Sequence, residues 1–530
     1  MENKRSNRRL LAAGLIGLIV FIVTNFYPYF PGVDTDAPEI IPPEISKEEA
    51  AAIAVAYMED AGFSGPFDHY VMYQNDTDLD GYLQKNHLAA EYYERFGSDY
   101  PLDYYQVELK QDGRIWLVDV HLQEGRVIGW QETTAEPQTA DAEAAEQLAL
   151  EFASGLGFSP DRLEPVSHDS GHHIFRVAGQ TIGEAELQLH VLVSGEQVAG
   201  FYPRFAVPGD YLAWYRDQQL RMESAGFLSL GVYLLIALAA AIFAAVYRRS
   251  ASFRRGLVLT AVYIVLSTIS NLNSYPSIRV LYPGQPDSDL AASFSLAFAE
   301  IFTIIFAAAM YLGLVSGDAA FRSKGMNLWA SWRDHDYSSH VVTSLWRGFL
   351  ISLIILGVQG IIYWTGTEYL DVWTVNDPSF SIYNYVYPAL FPLAAWVAGI
   401  SEEAIYRVFG IALFRKLFRS TGIAILLSSM IWAVAHIGYP VFPAYTRFFE
   451  VTILGFLFSW AYLRYGFITA VFAHVIFDSI LMGLSLMGMG GTADLLLGVF
   501  YIVLPVIIAY AIRWLHSRTD FRPQVARPRD

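Results

Sequence analysis

Ser401-Glu402-Glu403-Ala404-Ile405-Tyr406-Arg407 sets three charged residues inside an apolar segment that runs from Tyr387 to Phe414. An ionised side chain at the centre of a bilayer costs about 2.5–3.5 kcal/mol on insertion scales, so acids held there mark a functional site by default. Adjacent residues on an α-helix point roughly 100° apart, whereas residues four apart are neighbours. That spacing predicts a pair between Glu403 and Arg407 and leaves Glu402 facing elsewhere as the free acid. Two later apolar segments each carry a histidine. One is His436 in Ile431-Trp432-Ala433-Val434-Ala435-His436, and the other is His474 in Phe472-Ala473-His474-Val475-Ile476-Phe477-Asp478. Asp478, four residues on, shares the helix face of His474. A carboxylate base beside imidazoles can deprotonate a water and hold it for attack on a carbonyl.

EExxxR, an aromatic-xxx-His and HxxxD, in that order on three successive hydrophobic segments, resemble the motifs of the CPBP family. This family comprises the CAAX-type prenyl-endopeptidases and bacteriocin-processing proteins, formerly called abortive-infection-like, and the resemblance covers the last third of the chain. It implies an intramembrane endopeptidase in which Glu402 activates water, His436 orients that water, His474 and Asp478 stabilise the oxyanion, and Glu403 and Arg407 support the site. Two positions depart from the family pattern. Trp432 stands where Phe is usual, which is expected to change packing and little else. Asp478 stands where Asn is common, and an ionised carboxylate repels an oxyanion unless it is protonated or bound to a cation, so Asp478 could instead orient His474. The family is often described as metallo-, and Glu402, His436, His474 and Asp478 have the N and O chemistry that Zn2+ accepts. No HExxH is present, however, and a metal-free glutamate mechanism fits the same residues. Two other readings compete. One is a catalytically silent scaffold or regulator of partner proteins; the other is a transporter, which would show inverted repeats that this membrane part lacks.

Such residues need a membrane around them. At 54% apolar and 15% aromatic the chain of 530 residues is too apolar for a soluble protein, yet at 16% charged it is too polar to lie wholly in a bilayer. Residues 31–225 hold 35 of the 52 acids and 11 of the 35 bases, net −24, against net +7 elsewhere. The acidic block reads as one soluble region and the basic remainder as cytoplasmic loops facing anionic lipid, with nothing to attract nucleic acid. Cysteine is absent, which rules out disulfides, a thiol nucleophile and a thiolate metal site. An exported block without disulfides points to a bacterial cell membrane.

Lys4, Arg5, Arg8 and Arg9 precede the apolar run Leu10 to Phe26, and no small-x-small cleavage site follows. Residues 1–30 therefore read as an uncleaved anchor with its N-terminus in the cytoplasm. After a Pro-rich linker, Pro38 to Pro43, residues 31–225 repeat themselves. Ser46 to Phe63 and Thr139 to Phe158 read as helices, each followed by alternating stretches broken at turn signals such as Asp112-Gly113 and Ser194-Gly195. Ser46 and Glu49 have the spacing of a capping box. The two units, 44–135 and 136–210, look like PepSY-type modules, and His168, His172 and His173 are expected in an exposed polar turn. Residues 226–370 read as membrane helices, 383–515 as the catalytic core and 516–530 as a cytoplasmic tail. Apolar segments near 227–247, 256–272, 290–315, 348–366, 385–414, 421–437, 447–463, 466–487 and 494–513 bring the spans to ten with the first. The expectation is an α-helical polytopic membrane protein with an inserted α+β extracytoplasmic region and both termini in the cytoplasm. A membrane-associated peptide or protein would be its substrate.

Overall fold

The computed structural model describes residues 2–26, 42–63, 65–135, 142–169 and 171–519. Most of the Pro-rich linker, the first residues of the helix expected from Thr139 and the tail beyond 519 lie outside them. The chain opens with α1 (Glu2–Phe26) and then builds an α+β region: α2 (Lys47–Asp60), β1 (Asp68–Asn75), α3 (Thr77–Lys85), α4 (Ala89–Arg95), β2 (Asp103–Gln111), β3 (Arg114–His121), β4 (Val127–Glu132), α5 (Ala142–Gly155), β5 (Leu163–Asp169), β6 (His172–Ile182), β7 (Ala185–Ser194) and β8 (Gln197–Ala206). The capping box forms as its spacing requires. The Ser46 hydroxyl accepts from the Glu49 amide at 3.1 Å, and the Glu49 carboxylate accepts from the Ser46 amide at 2.7 Å.

Among the described residues the strands form one antiparallel sheet of order β1-β2-β3-β4-β8-β7-β6-β5. It consists of two four-stranded meanders joined where their last strands meet, with Trp130 opposite Phe201 and Gln131 opposite Gly200. One helix covers each half: α2 packs on β1 to β4, and α5 on β7 and β8. The alternation read from the sequence is that of half-buried strands. In β7 Leu187, Leu189, Val191 and Val193 point into the core while their neighbours do not.

The histidine turn is a correction. His172 and His173 open β6, and His168 lies in β5 opposite His173. His173 is 3% exposed, and His172 Nε2 stands 3.1 Å from His190 Nδ1 on β7. Strand pairing runs on to Asp169 and His172, so the three histidines belong to paired strands and not to a turn.

The rest is helical: α6 (Gly209–Tyr247), α7 (Leu257–Asn273), α8 (Tyr275–Arg279), α9 (Ser288–Arg322), α10 (Tyr337–Leu370), the short β9 (Trp373–Thr374), α11 (Ala394–Glu402), a π-helical stretch Glu403–Gly410, α12 (Ile411–Phe418), α13 (Thr421–Val434), β10 (Val441–Phe442), α14 (Tyr445–Tyr465), α15 (Phe467–Met487) and α16 (Thr492–Ser517). Among the described residues six helices are long and apolar enough to cross a membrane: α1 from Asn7, α6, α9, α10, α15 and α16. This is a polytopic membrane protein with an α+β region. The other four expected spans fall short for visible reasons. α7 and α13 have 17 and 14 residues, the segment from α11 to α12 is broken by π turns, and α14 carries Arg447, Glu450 and Arg464. Three of these four bear or adjoin the motif residues. Polar groups and irregular backbone survive at membrane depth only where protein surrounds them.

The α+β region is bound to the helices at several points. Glu108 of β2 and Arg279 of α8 form an ion pair in which both side chains are fully buried. Asn384 closes the free edge of β1, accepting from the Tyr73 amide at 2.9 Å and donating to the Tyr73 carbonyl at 2.8 Å. Asp80 of α3 accepts from the Asn376 amide at 3.0 Å, and Trp373 and Phe442 stack with Tyr215 at the start of α6.

Candidate active site

The six motif residues come from four segments and meet in one place. Glu402 ends α11, Glu403 and Arg407 lie in the π-helical stretch, and His436 follows α13 in a turn. His474 and Asp478 are on α15. α11 reaches α15 at Gly399, where a Cβ would lie 2.5 Å from Val475 Cγ2, so only a glycine lets the acid pair come up to His474.

The α-helix expected through EExxxR is a π-helix, which is a second correction. Its wider turns send the Ile411 amide to the Tyr406 carbonyl, and the Ser428 hydroxyl donates to that same oxygen at 2.5 Å. Single π turns inside α-helices recur at functional sites. The Glu403 and Arg407 pair survives the change, with Nη1 3.4 Å from Oε1 and both side chains buried. This contact lacks hydrogen-bond geometry, and none of the three guanidinium nitrogens has a hydrogen-bond partner among the described residues. Instead the cation lies over the rings of Trp432 at 4.2 Å and Phe458 at 5.2 Å. Desolvated cation–π contacts of this kind are each worth about 2 kcal/mol.

Glu403 does more than pair with Arg407. The same Oε1 accepts from His474 Nδ1 at 2.9 Å. Phe458 stacks on the His474 ring at 4.5 Å, so the imidazole is fixed in both plane and tautomer. With Nδ1 donating to Glu403, the Nε2 of a neutral His474 carries its lone pair into the cavity, 3.8 Å from Glu402 Oε2 and 3.5 Å from Asp478 Oδ2. His436 is arranged alike. Its Nδ1 donates to the Trp432 carbonyl at 2.9 Å, and its Nε2 stands 3.9 Å from the same Glu402 oxygen.

Trp432 also exceeds its expected packing role, because its indole N–H donates to Glu402 Oε2. A phenylalanine there could not hold the carboxylate. Glu402, His436 and Asp478 remain 16–20% exposed at the side chain, while His474, Glu403 and Arg407 are at most 4% exposed. The first three therefore line an open cavity, and the others form its supporting wall.

Spacing also missed neighbours on the outer side of His436. Tyr439 lies parallel to the His436 ring, 8° between planes and 5.7 Å between centroids. Arg447 sits 5.0 Å over Tyr439 and is held by Glu450 and by Tyr363 Oη at 3.0 Å. Arg447 and Glu450, three apart in an apolar segment, gave the same intramembrane-charge signal as EExxxR and could have been found by it.

The four metal candidates have suitable donor atoms, but they do not gather as a ligand set. Donors on a tetrahedral zinc lie about 3.3 Å apart. Here both imidazole nitrogens stand 3.8–3.9 Å from Glu402 Oε2, an oxygen already bonded by the indole, and among the described residues no group of three His, Asp or Glu could hold a metal ion.

Residues 384–480 match the family model of the type II CAAX prenyl endopeptidase Rce1-like proteins, a protease family, and this segment contains all six motif residues. The family resemblance drawn from the motifs is thus borne out over that segment. Comparisons with curated proteins and with solved structures gave no match.

Proposed function

We propose that the chain is an intramembrane endopeptidase of a bacterial cell membrane, hydrolysing a peptide bond in a membrane-associated peptide or protein with Glu402 as the base that acts on water. The observation that carries this reading is the convergence of two imidazoles on one carboxylate oxygen. At 3.8 and 3.9 Å from Glu402 Oε2, His474 Nε2 and His436 Nε2 are too far to bond it directly and are spaced to share a bridging water with it. Such a water gives one proton to Glu402 and directs the other at an Nε2 lone pair, leaving its own lone pair for the substrate carbonyl. As the carbon–nitrogen bond breaks, Glu402 returns the proton to the departing amine. No step requires a metal.

The topology proposed with this reading has ten spans and both termini in the cytoplasm, and residues 31–225 lie outside as two PepSY-like units. Supporting it, the loops that touch the α+β region include Arg279 to Gly284 and Trp373 to Asn384, both at one end of the helices. Arg255, Asp318 and Arg322 cluster at the opposite end of α9. The silent-scaffold reading has no observation of its own in its favour.

The test is Glu402→Gln, which keeps size and removes the base. The variant should fold normally and lose hydrolysis by at least about 100-fold, as expected when a general base is removed. Wild-type activity should persist in a strong chelator. A fully active Glu402→Gln protein ends the reading.

A further inference from the structure

The two meanders of the α+β region are joined over a short length. β4 and β8 meet at Trp130 with Phe201 and at Gln131 with Gly200, and among the described residues no pair follows toward Ile128 on β4 or Pro203 on β8. Pro203 has no N–H to give to a ladder, and it lies in the stretch where the strands part. Two cavities of about 480 and 330 Å3 adjoin there, with Asp99, Tyr100, Ile128 and Pro203 lining both. Clefts that hold small ligands typically measure about 300–1,000 Å3.

The two chambers differ in chemistry. Apolar side chains, among them Phe158, Leu163 and Val177, wall the larger one, with Arg126 and Arg162 beside them. Arg126 is already neutralised by Glu124, whose carboxylate lies 2.6 Å from its Nε. Arg162 has no acid partner among the described residues; its Nη2 donates to the Ala178 carbonyl at 2.8 Å, which leaves the rest of the guanidinium open. A guanidinium fork matches a carboxylate in two parallel hydrogen bonds. The smaller chamber is polar. Tyr104, Gln131 and Tyr202 line it half-buried, and their side chains make no hydrogen bond among the described residues. Amide and phenol groups held there without partners suit a ligand that carries donors and acceptors along its length, as a peptide does. A fatty carboxylate would fill the larger chamber and leave the polar one to water.

We propose that the cleft between β4 and β8 binds the C-terminal end of a peptide. Its terminal carboxylate pairs with Arg162, and its last side chain, an apolar one, rests on Phe158 and Leu163. The preceding residues pass Ile128 and Pro203 to meet Tyr104, Gln131 and Tyr202. Capture of a chain end is a recurring mode of peptide recognition. Such binding needs no hydrolysis and is independent of the role of Glu402.

The full chain in detergent is titrated into a mixed-sequence set of short peptides that end in Leu or Phe, each made as the free acid and as the C-terminal amide. A fluorophore on a flexible N-terminal linker reports binding by anisotropy, and hexanoate and inorganic phosphate serve as competitors. Glu402→Gln is run beside wild type, so that cleavage of a probe is not mistaken for weak binding. The free acids should bind with Kd below about 1 mM and at least about tenfold tighter than the amides, the gain expected from one charge-assisted pair. Arg162→Gln should melt with wild type and bind acid and amide alike. Gln131→Ala should weaken both by about threefold, the effect of one neutral hydrogen bond. Absence of binding at about 1 mM, or a preference for the acid that survives Arg162→Gln, overturns the site. Hexanoate that displaces the peptide at equal concentration overturns the peptide as occupant, and phosphate that does so overturns the carboxylate. All of these outcomes leave the hydrolase reading standing.

Discussion

Glu403 holds two partners on one oxygen: Oε1 accepts from His474 Nδ1 at 2.9 Å and lies 3.4 Å from the guanidinium of Arg407. A carboxylate that fixes the tautomer of an imidazole is known best from metal sites, where it orients a ligand. Here the same device would hold a lone pair toward water, and the carboxylate itself stands beside a buried cation.

The two partners can be separated by mutation. Glu403→Leu strands Arg407 and removes the acceptor of His474 Nδ1; breaking a buried pair typically costs about 3–5 kcal/mol. Arg407→Gln breaks the same pair but leaves a carboxylate to orient His474. Both variants should melt well below wild type in detergent, while per folded molecule Arg407→Gln should retain the greater activity. Equal residual activity in the two would show that the contact with His474 is idle.

Stability of the α+β region should depend on pH through Asp119 on β3. Burial pushes its carboxyl up to about 7, against the hydrogen bond from Gln106 Nε2 at 2.9 Å that favours the anion. A carboxyl whose folded pKa lies above the unfolded value near 3.9 binds its proton more tightly in the folded state, so stability is lost as pH rises from about 4 to about 7. Relative to wild type, Asp119→Asn should therefore be more stabilising at about pH 7.5 than at about pH 5. A difference in melting temperature that is the same at both pH values would show that Asp119 does not titrate in this window.

Protease added to intact spheroplasts should cut within residues 31–225 and leave the membrane helices associated. Full protection of that region, with cleavage only after lysis, would invert the proposed topology.

How much the sequence revealed differs from element to element. The three motifs were legible because charge and histidine are costly in apolar segments, and that cost does not depend on the exact backbone. The π turns from Glu403 to Gly410 were not legible, since a four-residue spacing brings Glu403 near Arg407 in either helix type and only tertiary contacts such as Ser428 with the Tyr406 carbonyl distinguish them. Trp432 looked like a larger phenylalanine because composition carries no information on where an indole N–H points. Tyr439 was hidden in a short loop where no periodicity assigns a face. The capping box at Ser46 was fully readable because all of its bonds are local. Among the described residues six helices met the length and hydropathy of a span. Of the remaining four, α7 is merely short, and the other three were read from apolar stretches whose interruptions prove to be the site and its surroundings.

Asn384 and Tyr73 stand 311 residues apart, and between them the chain passes through α6 to α10. The open edge of β1 therefore waits on segments made much later. An unpaired edge is a template for aggregation, and closing so long a loop is slow. If synthesis proceeds in chain order, the α+β region emerges first and its β1 edge is closed only after α6 to α10 have been made. A chain stalled before Asn384 would carry an unsealed sheet, open to pairing with the edge of a neighbouring chain.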